Sequence, residues 1–174
     1  LIRSLSKNLV VATACDALTH ALEGYVSKRA NPFSDTLALA AMERIVATLY
    51  LDQSPTSDKS LSEFLYGSAL AGAVILHTGT TLLHSLGYYL TNHKNVHHGT
   101  ANLILLPYFL KMMAAHKVKK YDYLRSLFTR YDLKIETIIA QLGYTTSLAK
   151  IVPDNELETL WKDGRELDVR SLSV

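Results

Sequence analysis

The stretch LLHSLGYYLTNHKNVHHGTANLILLP, residues 82–107, decides the fold that is predicted for this chain. Apolar residues recur at helical intervals on both sides of the polar turn TNHKN, which predicts two helices that meet at this turn. The stretch also holds four histidines (His84, His93, His97 and His98) but no carboxylate. A metal site or an acid/base set built on these histidines therefore needs an acidic residue from elsewhere in the chain.

Helical spacing of apolar residues continues along most of the sequence and predicts an all-α fold. Asn31 is a suitable N-cap, Pro32 suits a first helical position, and DQSPTSDKS is typical of a loop. Pro107 is expected to kink or split the helix that begins near His98. The expected architecture is one multi-helix, bundle-like domain over residues 1–174. Its other helices are predicted at about 7–29, 32–51, 60–76, 80–91, 119–131, 134–142 and 154–167.

Composition and charge exclude several classes of protein. The chain has 174 residues, 48% of them apolar, and a formal net charge of +2, which predicts no broad attraction to nucleic acid or to a membrane surface. Basic residues gather in 111–134, where a solvated helix face is expected. The apolar runs are too short to cross a bilayer. The single cysteine, Cys15, excludes an internal disulfide and suits a reducing compartment, so we expect a cytoplasmic location.

A carboxylate that could join the histidines lies upstream, in CDALTHALEG. Asp16 and His20 are four residues apart, so they project from the same face of a helix whose neighbouring residues are apolar. A buried Asp needs a strong partner, which could be a metal ion or simply the histidine one turn away. His84 could be a ligand or a core histidine bonded to a backbone carbonyl. His98 precedes Gly99 at the start of a helix, so its side chain is expected to face an inter-helix groove.

The segments DALTHALEGYVS and LLHSLGYYLTNHKNVHHGTANLILLP resemble the two signature regions of the iron-containing (group III) alcohol dehydrogenases. The resemblance covers about residues 5–116, and the helical tail 117–174 carries no matching motif. It implies the all-helical C-terminal domain of the dehydroquinate synthase-like/iron alcohol dehydrogenase fold. It also implies four metal ligands, namely Asp16, His20, His84 and His98. One Asp and three His suit Fe²⁺ or Zn²⁺ better than Mg²⁺ or Ca²⁺.

The same resemblance implies a nicotinamide cofactor, NAD or NADP, bound mainly by an N-terminal nucleotide-binding domain. No GxGxxG motif or βαβ alternation occurs in these residues, so that α/β domain is expected to be absent from this chain. The chain also opens on Leu1, which indicates a piece of a longer polypeptide. The predicted activity of the whole protein is interconversion of an alcohol with an aldehyde or ketone. The piece alone is predicted to be inactive. A homodimer is expected, because the face where the other domain would dock is left exposed and can drive self-association.

One position in the second signature region departs from the family pattern. Many relatives carry a second histidine four residues after the third ligand, where this chain has Tyr88. A tyrosine can hydrogen-bond a substrate oxygen, but with an unperturbed pKa of about 10 it is a poor proton acceptor near neutrality. His97 is a candidate for a substrate-facing or supporting role, whereas surface positions are expected for His77, His93 and His116. The alternative functions are a metal-dependent hydrolase and a non-catalytic helical remnant that pairs with a partner.

Overall fold

The computed structural model describes residues 2–52 and 55–168, and within them it contains helices but no β-strand. The predicted all-α class is therefore confirmed. The α-helices are α1 (Lys7–Val26), α2 (Pro32–Leu51), α3 (Asp58–Thr78), α4 (Leu82–Lys94), α5 (His98–Ala115), α6 (Tyr121–Arg130), α7 (Ile135–Gln141) and α8 (Asp154–Asp168), with a 3₁₀ turn at Leu148–Lys150.

Side-chain caps explain where the first three helices begin. The Ser6 hydroxyl accepts the amide of Leu9 at the start of α1. Asn31 and Ser34 form a reciprocal capping box at the start of α2, with Pro32 in the first helical position as predicted. Ser57 caps α3, which therefore begins two residues earlier than the sequence pattern indicated.

The first helix ends at Val26, so the predicted end at residue 29 was wrong. Ser27 adopts an extended backbone (φ −64°, ψ 147°) instead of a helical one. Its hydroxyl donates to the carbonyl of Thr78 at 3.3 Å and accepts the amide of Arg29 at 3.2 Å. These bonds tie the end of α1 to the end of α3, a contact that local sequence spacing does not reveal.

Pro107 was expected to kink or split its helix, and the split was wrong, because α5 runs through Pro107 to Ala115. Proline removes one intrahelical hydrogen bond and costs about 3 kcal/mol in an exposed helix. Here both halves of the helix are buried, with Leu103 and Leu106 before the proline and Phe109 and Met113 after it. Packing against the domain therefore maintains the helix across the missing bond.

Helix α1 lies at the centre of the domain, in contact with α2, α3 and α5, and α4 packs between α5 and α8. One hydrophobic core runs through these helices and includes Leu124, Ile138 and Leu160 from the segment after residue 117. Within the described ranges no single helix is long and apolar enough to cross a membrane. Only α3 and α4 together, bent by 111° at their junction, meet that criterion on length and composition.

The basic residues of 111–134 are mostly exposed, as expected for a solvated face. Lys120 is half-buried instead, because its ammonium group donates to both carboxylate oxygens of Asp35 and to the carbonyl of Tyr25. It also lies 4.4 Å from the centre of the Tyr25 ring. This lysine thereby links the end of α1 to the first turn of α2.

Candidate metal centre

The four predicted ligands converge where α1, α4 and α5 meet. Oδ1 of Asp16 lies 3.6 Å from Nε2 of His84 and 3.7 Å from Nε2 of His98. Oδ2 of the same carboxylate lies 3.9 Å from Nε2 of His20. These separations exceed hydrogen-bond length. They are close to the ~3.4 Å that separates two ligand atoms sharing a tetrahedral ion at about 2.1 Å.

Three of the four residues form the tightest group. Asp16, His20 and His84 each offer one ligand atom, and these atoms all lie within 4.8 Å of one another. The rings of His20 and His84 are stacked, with centroids 4.5 Å apart. His98 lies outside this tightest group, and its ring centroid is 5.4 Å from that of His84. It therefore approaches from the α5 side, chiefly toward the Asp16 carboxylate.

A buried nitrogen atom indicates that the group fits a cation. The side chain of His84 is only 1% exposed, and among the described residues its Nε2 has no hydrogen-bond partner. Buried polar atoms are rarely left unpaired in a stable fold, because desolvation without a partner is costly. This nitrogen faces an Asp oxygen that is too distant for a hydrogen bond. A divalent ion between the two atoms would satisfy both, and the N₃O donor set suits a first-row metal.

Two glycines allow the three helices to approach closely enough to form the cluster. A Cβ atom on Gly99 would lie 2.0 Å from the carbonyl oxygen of Ala12, so at this point α5 rests against the backbone of α1. A Cβ atom on Gly87 would lie 1.9 Å from Oδ1 of Asn102, so at this point the Asn102 side chain of α5 rests against α4. Larger residues at these positions would separate the helices that carry the histidines.

The sequence analysis missed Glu23, which contacts the other nitrogen of His84. Glu23 is fully buried, and its Oε2 pairs with Nδ1 of His84. Its Oε1 accepts the amide of Leu83 at 2.6 Å and the hydroxyl of Thr81. One sequence signal could have indicated it. Glu23 lies seven residues after Asp16, on the same face of an apolar helix.

Thr91 and Asn102, which hold His98 and Asp16, were missed as well. The Thr91 hydroxyl donates to the carbonyl of Gly87 at 3.0 Å, so its lone pair is available to Nδ1 of His98 at 3.3 Å. The Asn102 amide donates to Oδ1 of Asp16 at 3.0 Å and lies 3.3 Å from Nε2 of His98. Asn102 is fully buried and stands one turn after His98 on α5. Both contacts leave Nε2 of His98 as the nitrogen that faces Asp16.

Three of the four predicted ligands are held in the charge states that a metal site requires. Burial alone would raise the pKa of Asp16, but the imidazoles beside it lower this pKa below its usual value. Burial lowers the pKa of His20 and of His98 despite the nearby Asp16 charge, so both rings are neutral at pH 7. Burial would also lower the pKa of His84, but the carboxylates of Asp16 and Glu23 raise it to about 9. A bound cation would replace the second proton of His84.

The other predicted site residues lie at the edge of this cluster or outside it. Tyr88 is half-exposed and stacks on the ring of His98, with centroids 4.9 Å apart. His97 is exposed at the start of α5 and makes no side-chain cap bond. His77 and His116 are exposed at helix ends and His93 in the last turn of α4, as expected. Cys15 is fully buried in the core.

Comparisons with known proteins show which family this chain resembles. A family model described as Fe-containing alcohol dehydrogenase family, C-terminal, matches residues 10–159. The long-chain-alcohol dehydrogenase 1 of Geobacillus thermodenitrificans is 32% identical over 92% of this chain. The lactaldehyde reductase of Escherichia coli K12 is 37% identical over 65% of it and 29% of the relative. An iron-containing alcohol dehydrogenase structure from Thermotoga maritima superposes with a TM-score of 0.80 at 32% identity, over 98% of this chain.

The match extends over less than half of these longer relatives. The chain spans 45% of the Geobacillus enzyme and 46% of the Thermotoga structure. A sulfoacetaldehyde reductase from Bifidobacterium kashiwanohense shares the fold with a TM-score of 0.82 at 22% identity, over 48% of its own length.

Proposed function

This chain belongs to the Fe-containing alcohol dehydrogenase family, whose C-terminal part it matches, and we propose that it forms the metal-binding half of a nicotinamide-dependent oxidoreductase. The whole protein would interconvert a small alcohol with an aldehyde or ketone. NAD or NADP would be bound mainly by an N-terminal nucleotide-binding domain, the partner of the domain described above. A cytoplasmic location and assembly as a homodimer complete the proposal.

The proposed metal is Fe²⁺, held by Asp16, His20, His84 and His98. The support is the ligand chemistry of the cluster, the unpartnered nitrogen of His84 and the iron-containing relatives. Zinc is the other divalent ion that such an N₃O set accepts. A bound ion would supply Lewis acidity that polarises the substrate oxygen, and the nicotinamide would carry the hydride.

The exposure of the ligands indicates the side from which a substrate would arrive. The side chains of Asp16, His20 and His98 are 24%, 23% and 26% exposed, whereas that of His84 is sealed in the core. The cluster is thus open on one side, and Tyr88 borders that side beside His98. We propose that the Tyr88 hydroxyl hydrogen-bonds a substrate oxygen, and that His97 lines the same approach.

The observation that carries this proposal is that Nε2 atoms of three histidines converge on the Asp16 carboxylate, one of them the unpartnered Nε2 of His84. It predicts about one equivalent of tightly bound Fe²⁺ per chain. The His84→Ala variant should lose this bound Fe²⁺. In His93→Ala it should be retained, because His93 is exposed in the last turn of the same helix and contacts the Tyr89 ring. Metal analysis after anaerobic loading and desalting would measure this.

The proposed reaction needs a second test, on the chain joined to its nucleotide-binding domain. We expect metal-dependent oxidation of an alcohol with reduction of NAD or NADP, and no such turnover by these residues alone. In the joined protein Tyr88→Phe should lower kcat/KM for the alcohol while metal content stays at one equivalent. Absence of metal from wild-type protein would contradict the proposal. Metal-dependent ester hydrolysis without any nicotinamide-linked turnover would contradict it as well.

A further inference from the structure

The start of helix α4 is capped by a residue from another helix. Thr81 occupies the N-cap position of α4, but its side chain makes no cap hydrogen bond to the helix. The amide of Leu83 instead donates to Oε1 of Glu23, in α1, at 2.6 Å, and the Thr81 hydroxyl donates to the same oxygen. A helix N-terminus presents unpaired amides and partial positive charge, so a carboxylate stabilises it.

The second oxygen of the same carboxylate contacts the metal-facing histidine. Oε2 of Glu23 pairs with Nδ1 of His84, which is the third residue of α4. A carboxylate can only accept hydrogen bonds, so Nδ1 must carry the hydrogen. Nε2 can then present its lone pair toward Asp16. Because Glu23 is fully buried, these three contacts replace the water that it gives up on folding.

We propose that Glu23 is the positioning residue of the metal centre. It selects the His84 tautomer whose Nε2 can bind the ion, and it holds the ring in place by joining the start of α4 to α1. This inference rests on the proposed metal-binding function. The cap of α4 and the tautomer of His84 both depend on the Glu23 side chain, since Oε1 accepts from the start of α4 and Oε2 contacts the imidazole of His84. Partners that orient a ligating histidine in this way typically contribute about 10–100-fold to metal affinity.

Glu23→Gln separates the two roles, because an amide keeps one acceptor and replaces the other by a donor. Its carbonyl oxygen can still accept from Leu83 and Thr81, which preserves the cap. Its NH₂ group then donates to Nδ1 of His84, so the hydrogen moves to Nε2 and blocks the ligand atom. We expect metal affinity to fall about 10–100-fold, with little change in the thermal midpoint of the metal-free protein.

The affinity would be measured by competition with a chelator, for Fe²⁺ and Zn²⁺ at the same pH. ¹⁵N NMR of the His84 ring in metal-free protein, at a pH high enough for the ring to be neutral, would report whether Nδ1 or Nε2 carries its single hydrogen. We expect that hydrogen on Nδ1 in the wild type and on Nε2 in Glu23→Gln. The matched control is Glu43→Gln, since Glu43 accepts from Arg130, the last residue of α6, and from Tyr131 directly after it. That variant should bind metal as tightly as the wild type.

The outcomes separate this inference from the function on which it rests. Wild-type protein that binds no metal would contradict the proposed function and this inference with it. Wild-type protein that binds metal, together with a Glu23→Gln variant that binds equally well, would overturn the inference alone. If the Gln variant does not fold, the wild-type spectrum decides. Hydrogen on Nδ1 of His84 supports the proposal, and an Nδ1 without hydrogen overturns it.

Discussion

The close approach of α5 to α1 at Gly99 predicts that Gly99→Ala will damage both stability and metal binding. Gly99 follows the ligand His98 in the first turn of α5. An added Cβ would lie 2.0 Å from the carbonyl oxygen of Ala12 and 2.9 Å from Cβ of Asp16. The nearer of these atoms belongs to the backbone of the buried central helix, so no side chain can rotate to make room.

The size of the effect follows from these distances. Ordinary contact begins near 3.4 Å, so relief of a 2.0 Å contact requires about 1.4 Å of separation between the helices. A shift of that size would carry Nε2 of His98 away from its 3.7 Å approach to Asp16, beyond shared coordination of one ion. Overpacking of this kind costs about 1–3 kcal/mol, and alanine returns up to about 1 kcal/mol through its helix propensity.

The assay compares Gly99→Ala with Gly72→Ala, whose added Cβ has nothing within 4 Å. Each 1 kcal/mol should move the thermal midpoint by about 2–4 °C in a domain of this size. We therefore expect Gly99→Ala to melt several degrees below the wild type and to lose its tight metal equivalent. Gly72→Ala should melt at or slightly above the wild type and keep its metal. A Gly99→Ala protein with wild-type melting and wild-type metal content would refute the reasoning.

Further substitutions and one labelling experiment test the fold and the environment of single groups. Lys120→Met should lower the free energy of unfolding in urea by about 1.5–3 kcal/mol, because it removes charge-assisted bonds that link α1 and α2. The exposed pair of Lys134 and Asp132 should contribute at most about 1 kcal/mol. Equal losses on removal of the two lysines would contradict this assignment. Burial and the charge of Asp16 raise the pKa of Cys15 to about 12. At pH 8 the thiol should therefore react with a disulfide reagent only after unfolding. Rapid labelling of the native protein would contradict this expectation. Leu22→Ala should cost about 2–5 kcal/mol through a core cavity, while Leu76→Ala, at an 81% exposed position, should stay within about 0.5 kcal/mol of the wild type.

Much of the fold could be predicted because helices are specified by local patterns. The spacing of apolar residues places the start of α1 correctly, and the predicted cap at Asn31 places the start of α2. The errors occurred where distant residues intervene. Ser27 leaves the helix to bond the end of α3, and Pro107 stays inside a helix that is buried on both sides. Neither outcome follows from the residues nearest in sequence.

For the candidate site, the sequence by itself determined the family resemblance that predicts Asp16, His20, His84 and His98 as metal ligands, whereas residue spacing alone left them open to other roles. Only the tertiary structure decided how these side chains are brought together and oriented. Glu23 reaches a histidine 61 residues away, and Gly99 permits a backbone contact that local spacing cannot reveal. The physical reason is the separation along the chain over which each effect acts. Helical periodicity acts over a few residues, whereas the tautomer and orientation of a ligand depend on partners that only helix packing brings into contact.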